Sequence, residues 1–291
     1  MKPILFACML SCMVLTQTFA QVKTDPELKF DQPFTKCELK WVVLPPKANA
    51  PNAQYGYGFI YVDIMAGYTL DVKGTFTVDN SRNYVGDTTI SQNKSLKYRL
   101  AANTVQFALL PPSRFAQLHV QPQPAWVNIY YKGRDTTSSS YNYRMGFILN
   151  GAGDSHTALT YLNKAYAADP KYQGLIFEIS YAYNALNQYD DAIKVLQAAL
   201  KADPKNVMLF RELGYAYKKK GALDDAISYY KQGIDLCAAV QNDSKAEMGY
   251  NLAYVYKDKG DDADYKSTMA NVKTWAAPNS QIYNAVVQQG F

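Results

Sequence analysis

The chain has 291 residues, 48% of them hydrophobic and 19% charged, enough for a packed core in one large or two ordinary domains. Its net charge of +5 is mild and no long basic run accompanies it, which excludes the electrostatic footprint of a nucleic-acid binder. Tyrosine is abundant at 25 copies, a residue suited to surfaces that must be both wet and adhesive.

The first twenty residues read MKPILFACMLSCMVLTQTFA. Lys2 precedes an almost wholly apolar run from Pro3 to Leu15, and Thr18-Phe19-Ala20 puts small residues three and one before a cut. The pattern predicts a secretory signal peptide over 1–20, cleaved after Ala20. The apolar run is shorter than the roughly 20 residues a membrane-spanning helix needs. The alternative is lipidation at Cys12, in Met9-Leu10-Ser11-Cys12, and a membrane is expected as a partner only by that route. The expected location is extracytoplasmic, periplasmic or secreted. Cys37 and Cys237 stay in the mature chain. Two cysteines are not a disulfide framework, and they read as buried free thiols unless their Cα atoms come within about 7 Å.

After an N-terminal segment, 21–35, the pattern alternates. Cys37, Leu39, Trp41 and Val43 fall on one face of a predicted strand. Leu70, Val72, Phe76 and Val78 alternate with polar residues, as do Leu96, Tyr98 and Leu100. Val105, Phe107 and Leu109 follow, then Leu118 and Val120, then Val127, Ile129 and Tyr131. Period two with β-branched and aromatic enrichment predicts half-buried strands. Pro111, Pro112, Pro122 and Pro124 belong in connections or at edges. Short strands at this spacing predict a β-sandwich-like domain over 36–132. Residues 133–140 form a linker that ends in serines able to cap a helix. It is too short for a long tether, so the two halves are expected to touch.

From Tyr141 the period becomes helical. Residues 180–193, SYAYNALNQYDDAI, return 34 residues later as GYAYKKKGALDDAI, with seven of fourteen positions identical. A fixed period of this size marks stacked repeats. In successive copies a small residue on the first helix (Gly146, Ser180, Gly214) is expected to face a small one on the second (Ala158, Ala192, Ala226). Pro170 and Pro204 stop one helix before the next begins. A fourth copy starts about five residues late, after AAVQNDSK at 238–245, and keeps Ala253 and Tyr256. Trp275 to Phe291 is expected to form a last covering helix with Tyr283, Val286 and Val287 buried.

These copies resemble the tetratricopeptide repeat family over about 140–272. The expected fold is multidomain β + α, a β-sandwich-like domain followed by a tetratricopeptide repeat solenoid over 141–291. The resemblance implies that first helices line a concave groove and that the residue after each small one points into it. Those residues are Phe147, Tyr181, Tyr215 and Tyr254. One turn earlier sit Tyr143, Phe177, Arg211 and Tyr250; one turn later sit Asn150, Asn184, Lys218 and Lys257. Such a groove would have an aromatic floor, amides at one end and lysines at the other, suited to a peptide.

Catalytic and metal-binding patterns are missing. The two histidines, His119 and His156, lie in different halves, and there is no HExxH, GxSxG or phosphate-binding loop. No Cys or His pairs stand at ligand spacing. Asp190-Asp191 and Asp224-Asp225 open a repeat's second helix, where acids complement its dipole. No catalytic residue, metal or cofactor is therefore expected. The expected function is a non-enzymatic exported adaptor that binds a peptide or protein partner. The alternative is a glycan-binding protein using the aromatics of YGYGFIY at 55–61 and WVNIYY at 126–131.

Overall fold

The computed structural model describes residues 25–46, 54–87, 96–102, 104–237 and 243–291. The predicted signal peptide, Cys12 and residues 238–242 of the insertion lie outside them. Six antiparallel strands form one sheet: β1 (Lys40–Leu44), β2 (Tyr55–Asp63), β3 (Gly67–Val78), β4 (Tyr84–Asp87), β5 (Leu96–Arg99) and β6 (Ala108–Leu109). Their order is β4-β3-β2-β1-β6, with β5 beside β3. β3 is long enough to pair with β2 along one side and with both β5 and β4 along the other.

The register between β2 and β3 shifts at Tyr57/Gly58, where Gly58 pairs Val72 and Tyr57 pairs Gly74. Lys73 is the extra residue, and one extra residue reverses which face the following side chains take. Leu70 and Val72 therefore face one core while Phe76 and Val78, in the same alternating row, face the other. Glycine is required here, because a Cβ on Gly58 would stand 2.5 Å from the Asp71 carbonyl oxygen.

Among the described residues both faces of the sheet are covered, but not by a second sheet, so the sandwich expectation gives way to a single sheet between two unlike layers. On one face Trp41, Val43, Tyr55, Tyr57, Phe59, Tyr61 and Phe76 pack under Leu110, Leu118, Val120 and Val127. The predicted strands at 118–120 and 127–131 do not form. Residues 112–114 and 125–127 make single 3₁₀ turns, and α1 (Asn128–Tyr131) follows. Pro111 and Pro124 precede those turns; proline cannot donate to a ladder and is suited to starting a turn. The predicted strand at 37–43 also begins late. Leu39 has φ 57°, which breaks the alternation, so Cys37 joins the opposite core from Trp41 and Val43.

On the other face Val42, Ile60, Val62, Tyr68 and Leu70 share one cluster with Met145, Ile148, Leu149 and Leu162 of the helices. The sheet and the first helices thus have a common core. Arg144 also donates from Nε to the Ile64 carbonyl at 2.8 Å and from its other nitrogen to the Met65 carbonyl at 2.6 Å. Cys37 and Cys237 are both buried and free, and burial pushes the Cys37 thiol up to about 11.

The helices pair as α2 (Ser139–Gly151) with α3 (Ser155–Ala168), α4 (Leu175–Ala185) with α5 (Tyr189–Ala202), α6 (Val207–Lys220) with α7 (Leu223–Leu236), and α8 (Asp243–Lys259) with α9 (Asp262–Trp275). Ser138, Asp154, Asn206 and Asp261 cap helix starts by accepting from backbone N–H groups. The expected small-on-small contact is corrected. A Cβ on Gly146 would meet Leu162 at 2.4 Å, and one on Gly214 would meet the Tyr230 ring at 2.5 Å. The glycines therefore make room for a large side chain one turn beyond the alanines. The closing helix, α10, is shorter than expected, Gln281–Gln288. It buries Val286, while Val287 is 44% exposed.

Candidate functional site

The first helices α2, α4, α6 and α8 contact one another in succession and so form one wall. Phe147, Tyr181 and Tyr215 stand at equivalent positions on the first three of them, and all three rings are exposed, at 43%, 44% and 36%. Each follows a buried residue (Gly146, Ser180, Gly214), so the turn that seats the helix also aims the next ring outward. The equivalent Tyr254 on α8 is half-buried.

One turn earlier the residues are engaged. Tyr143 packs against Tyr172 with centroids 5.0 Å apart. The Arg211 guanidinium lies 5.6 Å from the Phe177 ring centroid and pairs with Glu212 and Glu247, each at 2.9 Å. Tyr250 packs on Tyr254. One turn later the amides lie deeper than expected. Asn150 is buried and donates to the Glu178 carbonyl at 3.0 Å and its carboxylate at 2.9 Å. Asn184 is buried with neither polar atom bonded. Lys218 pairs with Asp258 at 4.0 Å and sits 5.4 Å from the Tyr254 ring. Lys257 lies over Tyr254 and Tyr265.

The wall is bounded at both ends. At the first, the β2–β3 turn is held by Arg144, whose guanidinium lies 5.1 Å from the Phe147 ring. At the last, Gln289 bonds to Tyr250, Tyr254 and Tyr265. The stretch between is centred on Phe177, Tyr181, Arg211, Tyr215 and Lys218. The glycan alternative loses much of its surface, because Tyr55, Tyr57, Phe59 and Tyr61 are fully buried.

Residues 181–221 match the TPR repeat family, and residues 212–239 match the tetratricopeptide repeat family. Residues 181–239, in the C-terminal half, carry tetratricopeptide repeats. Among solved structures the chain is similar to PilW, described as a widely conserved type IV pilus biogenesis factor, at 22% identity and TM-score 0.46, covering 53% of this chain and 69% of that one. It is similar to TTC0263, a thermophilic TPR protein of Thermus thermophilus, at 21% identity and TM-score 0.45, covering 53% and 84%. It is also similar to YrrB, a TPR protein with an unusual peptide-binding site, at 17% identity and TM-score 0.43, covering 53% and 76%. No curated protein matches the chain.

Two features of the tetratricopeptide repeats were not visible in their spacing. The first is a cleft of about 980 Å³ away from the exposed ring row, lined by Tyr166, Tyr172, Ile176, Val195, Ala199 and Met208 among others. Of the twelve predicted groove residues only Phe177 reaches it. The second is a set of ion pairs between repeats. Lys220 pairs with Asp190 at 2.5 Å and Lys259 with Asp224. These join the end of a first helix to the start of the preceding repeat's second helix, although such exposed pairs stabilise little.

Glu178 supplies a pH test of the buried contact between repeats. Burial raises its carboxyl above the ordinary range, and the Asn150 amide only partly opposes this. A raised folded-state value means that folding favours the neutral acid. That stabilisation is full below the unfolded value and is lost as pH rises through the folded one. Glu178→Gln keeps an acceptor for Asn150 and never ionises. The variant is expected to have a higher urea midpoint than the parent at neutral pH, with the gap closing below about pH 4. A lower midpoint at neutral pH would contradict this.

Proposed function

We propose that the chain is an exported, non-enzymatic adaptor whose tetratricopeptide repeats hold a peptide segment of a partner protein across the first-helix wall. The observation that carries this reading is the row of exposed rings at Phe147, Tyr181 and Tyr215. Large aromatics left in water at one repeat position offer contact area at low entropy cost, and such residues dominate binding energies. The Asn184 amide adds to the motive: a buried amide without partners costs about 1–3 kcal/mol, and rearrangement on binding would relieve it. Phe177, Arg211 and Lys218 complete the centre. Tyr143, Asn150, Tyr250, Tyr254 and Lys257 flank it. The export element of the proposal rests on the apolar run and small-residue cut within the first twenty residues.

The test is a pull-down from envelope extract with the mature chain, 21–291, beside its Tyr181→Ala/Tyr215→Ala variant. Each ring lost from a binding centre costs about 2 kcal/mol or more, roughly 30-fold in affinity. A partner held by the parent and lost by the variant is the expected result. Both rings lie outward, so the variant's stability should stay within about 0.5 kcal/mol of the parent, which separates lost binding from lost folding. A partner retained by both chains would overturn the reading.

A further inference from the structure

The last rung of the wall is already occupied. The Gln289 side chain donates from Nε2 to the Tyr250 hydroxyl at 3.1 Å and to the Ala285 carbonyl at 3.1 Å. Its Oε1 accepts from the Tyr254 hydroxyl at 3.1 Å and from Tyr265 at 2.9 Å. Tyr250 in turn donates to Tyr254 at 3.4 Å. The amide and two of the hydroxyls therefore close a ring in which every group both donates and accepts a hydrogen bond. Gln289 is exposed, yet its amide makes four hydrogen bonds, and a carboxamide supplies two donors and two acceptor sites. Three hydroxyls converging on one exposed amide exceed what is needed to end a helix.

The segment that delivers this amide is lightly held. α10 has eight residues and buries only Val286. Beyond it, Phe291 meets the Tyr265 ring edge-on at 5.7 Å and accepts from Lys273 through its backbone oxygen. Ile282, Tyr283 and Phe291 pack partly buried against the cluster of α8 and α9, and a terminal segment held this way opens at lower cost than the core. Tyr254 is the equivalent of Tyr181 and Tyr215, and Lys218 of the preceding repeat lies against its ring. The occupied rung is thus continuous with the exposed one.

We propose that Tyr250, Tyr254 and Tyr265 form a carboxamide-binding subsite that Gln289 fills in cis, and that a glutamine or asparagine side chain of the peptide partner takes its place. This rests on the peptide-binding reading of the wall and adds what the peptide must carry. The subsite prefers an amide to a carboxylate. A carboxylate has no N–H for Tyr250, and while α10 stays docked it would set an oxygen against the Ala285 carbonyl at that helix's negative end; Lys218, paired with Asp258, and Lys257 lie over the ring faces of Tyr254 and Tyr265.

The test uses the mature chain with its tyrosine rings labelled for NMR, with the signals of Tyr250, Tyr254 and Tyr265 assigned by single Tyr→Phe variants. The probe is N-acetyl-glutamine methylamide, and N-acetyl-glutamate methylamide is the control. In Gln289→Ala the glutamine probe should shift the three signals saturably, about five- to tenfold more tightly than the glutamate probe. The parent, its site filled, should need about tenfold more probe. Adding Tyr265→Phe to Gln289→Ala keeps the ring, removes one donor and should weaken the probe about fivefold. Absence of a shift in Gln289→Ala would overturn the proposal, as would equal response to both probes or identical titration of parent and variant. The probe needs no partner protein. Partner loss from Tyr181→Ala/Tyr215→Ala with no probe binding would sink the subsite alone, and probe binding without partner loss would sink only the wall reading.

Discussion

Truncating Tyr230 to alanine is expected to cost about 3–5 kcal/mol of stability, the range for emptying a large buried ring site. Tyr230 is fully buried on α7, and its ring fills the space that Gly214 leaves on α6. Filling that space from the other side should hurt as well: Gly214→Ser puts a Cβ within 2.5 Å of the ring and is expected to cost about 1–3 kcal/mol by overpacking. The preceding repeat solves the same position differently, with Ser180 on α4 and Leu196 on α5, both fully buried. Moving that pair across, as Gly214→Ser/Tyr230→Leu, should therefore cost less than the sum of its two single changes. Urea midpoints of the four chains give the coupling directly. Additive costs would mean that the two positions do not pack as a size-matched pair.

Ile60→Ala should destabilise the helices although Ile60 lies on a strand. Its side chain is fully buried in the cluster that also holds Met145, Leu149 and Leu162, so its loss is expected to cost about 2–5 kcal/mol. The common core is expected to make the sheet and the first repeats one cooperative unit. In a Trp275→Phe background, where only Trp41 and Trp126 of the three tryptophans remain, helical circular dichroism and the near-ultraviolet tryptophan signal should shift together to lower urea in the variant. A helical transition that stayed at the parent's midpoint while the tryptophan signal moved would show that the halves fold separately.

How far the sequence could be read differs between the halves for physical reasons. In the helical half each repeat writes its packing locally. A small residue, a ring after it and an Asp-Pro stop recur at 34, so Gly146, Ser180 and Gly214 and the rings beside them were found in register. What faces the glycines was not readable, because Leu162 and Tyr230 lie on another helix and the alanines before them looked equally suitable. Asn150 and Asn184 read as groove amides, since nothing local shows that Glu178 of the next repeat comes down beside Asn150. Gln289 gave no signal at all; its three tyrosine partners lie 24 to 39 residues away and follow no period.

In the β half the alternation was real but its phase was not constant. The extra residue at Lys73 and the positive φ at Leu39 each move neighbours to the other face, and neither changes the pattern of apolar letters. Residues 118–131 alternate like strands because they cover an apolar sheet face, while the prolines among them turn the backbone away from the ladder. A face needing cover selects apolar residues whatever backbone supplies them, which is why a second sheet was expected where turns and a short helix lie.

Photo-crosslinking in cells puts the proposed peptide-binding wall to the most direct test. A benzophenone amino acid would replace Tyr181, Tyr215 or, in the separate cleft, Tyr166, one position per chain. Partner adducts at 181 and 215, suppressed by Arg211→Ala at the centre of the wall and absent at 166, are the predicted result. Adducts confined to 166 would move the binding site to the cleft lined by α3, α4, α5 and α6 and contradict the role assigned to the exposed ring row.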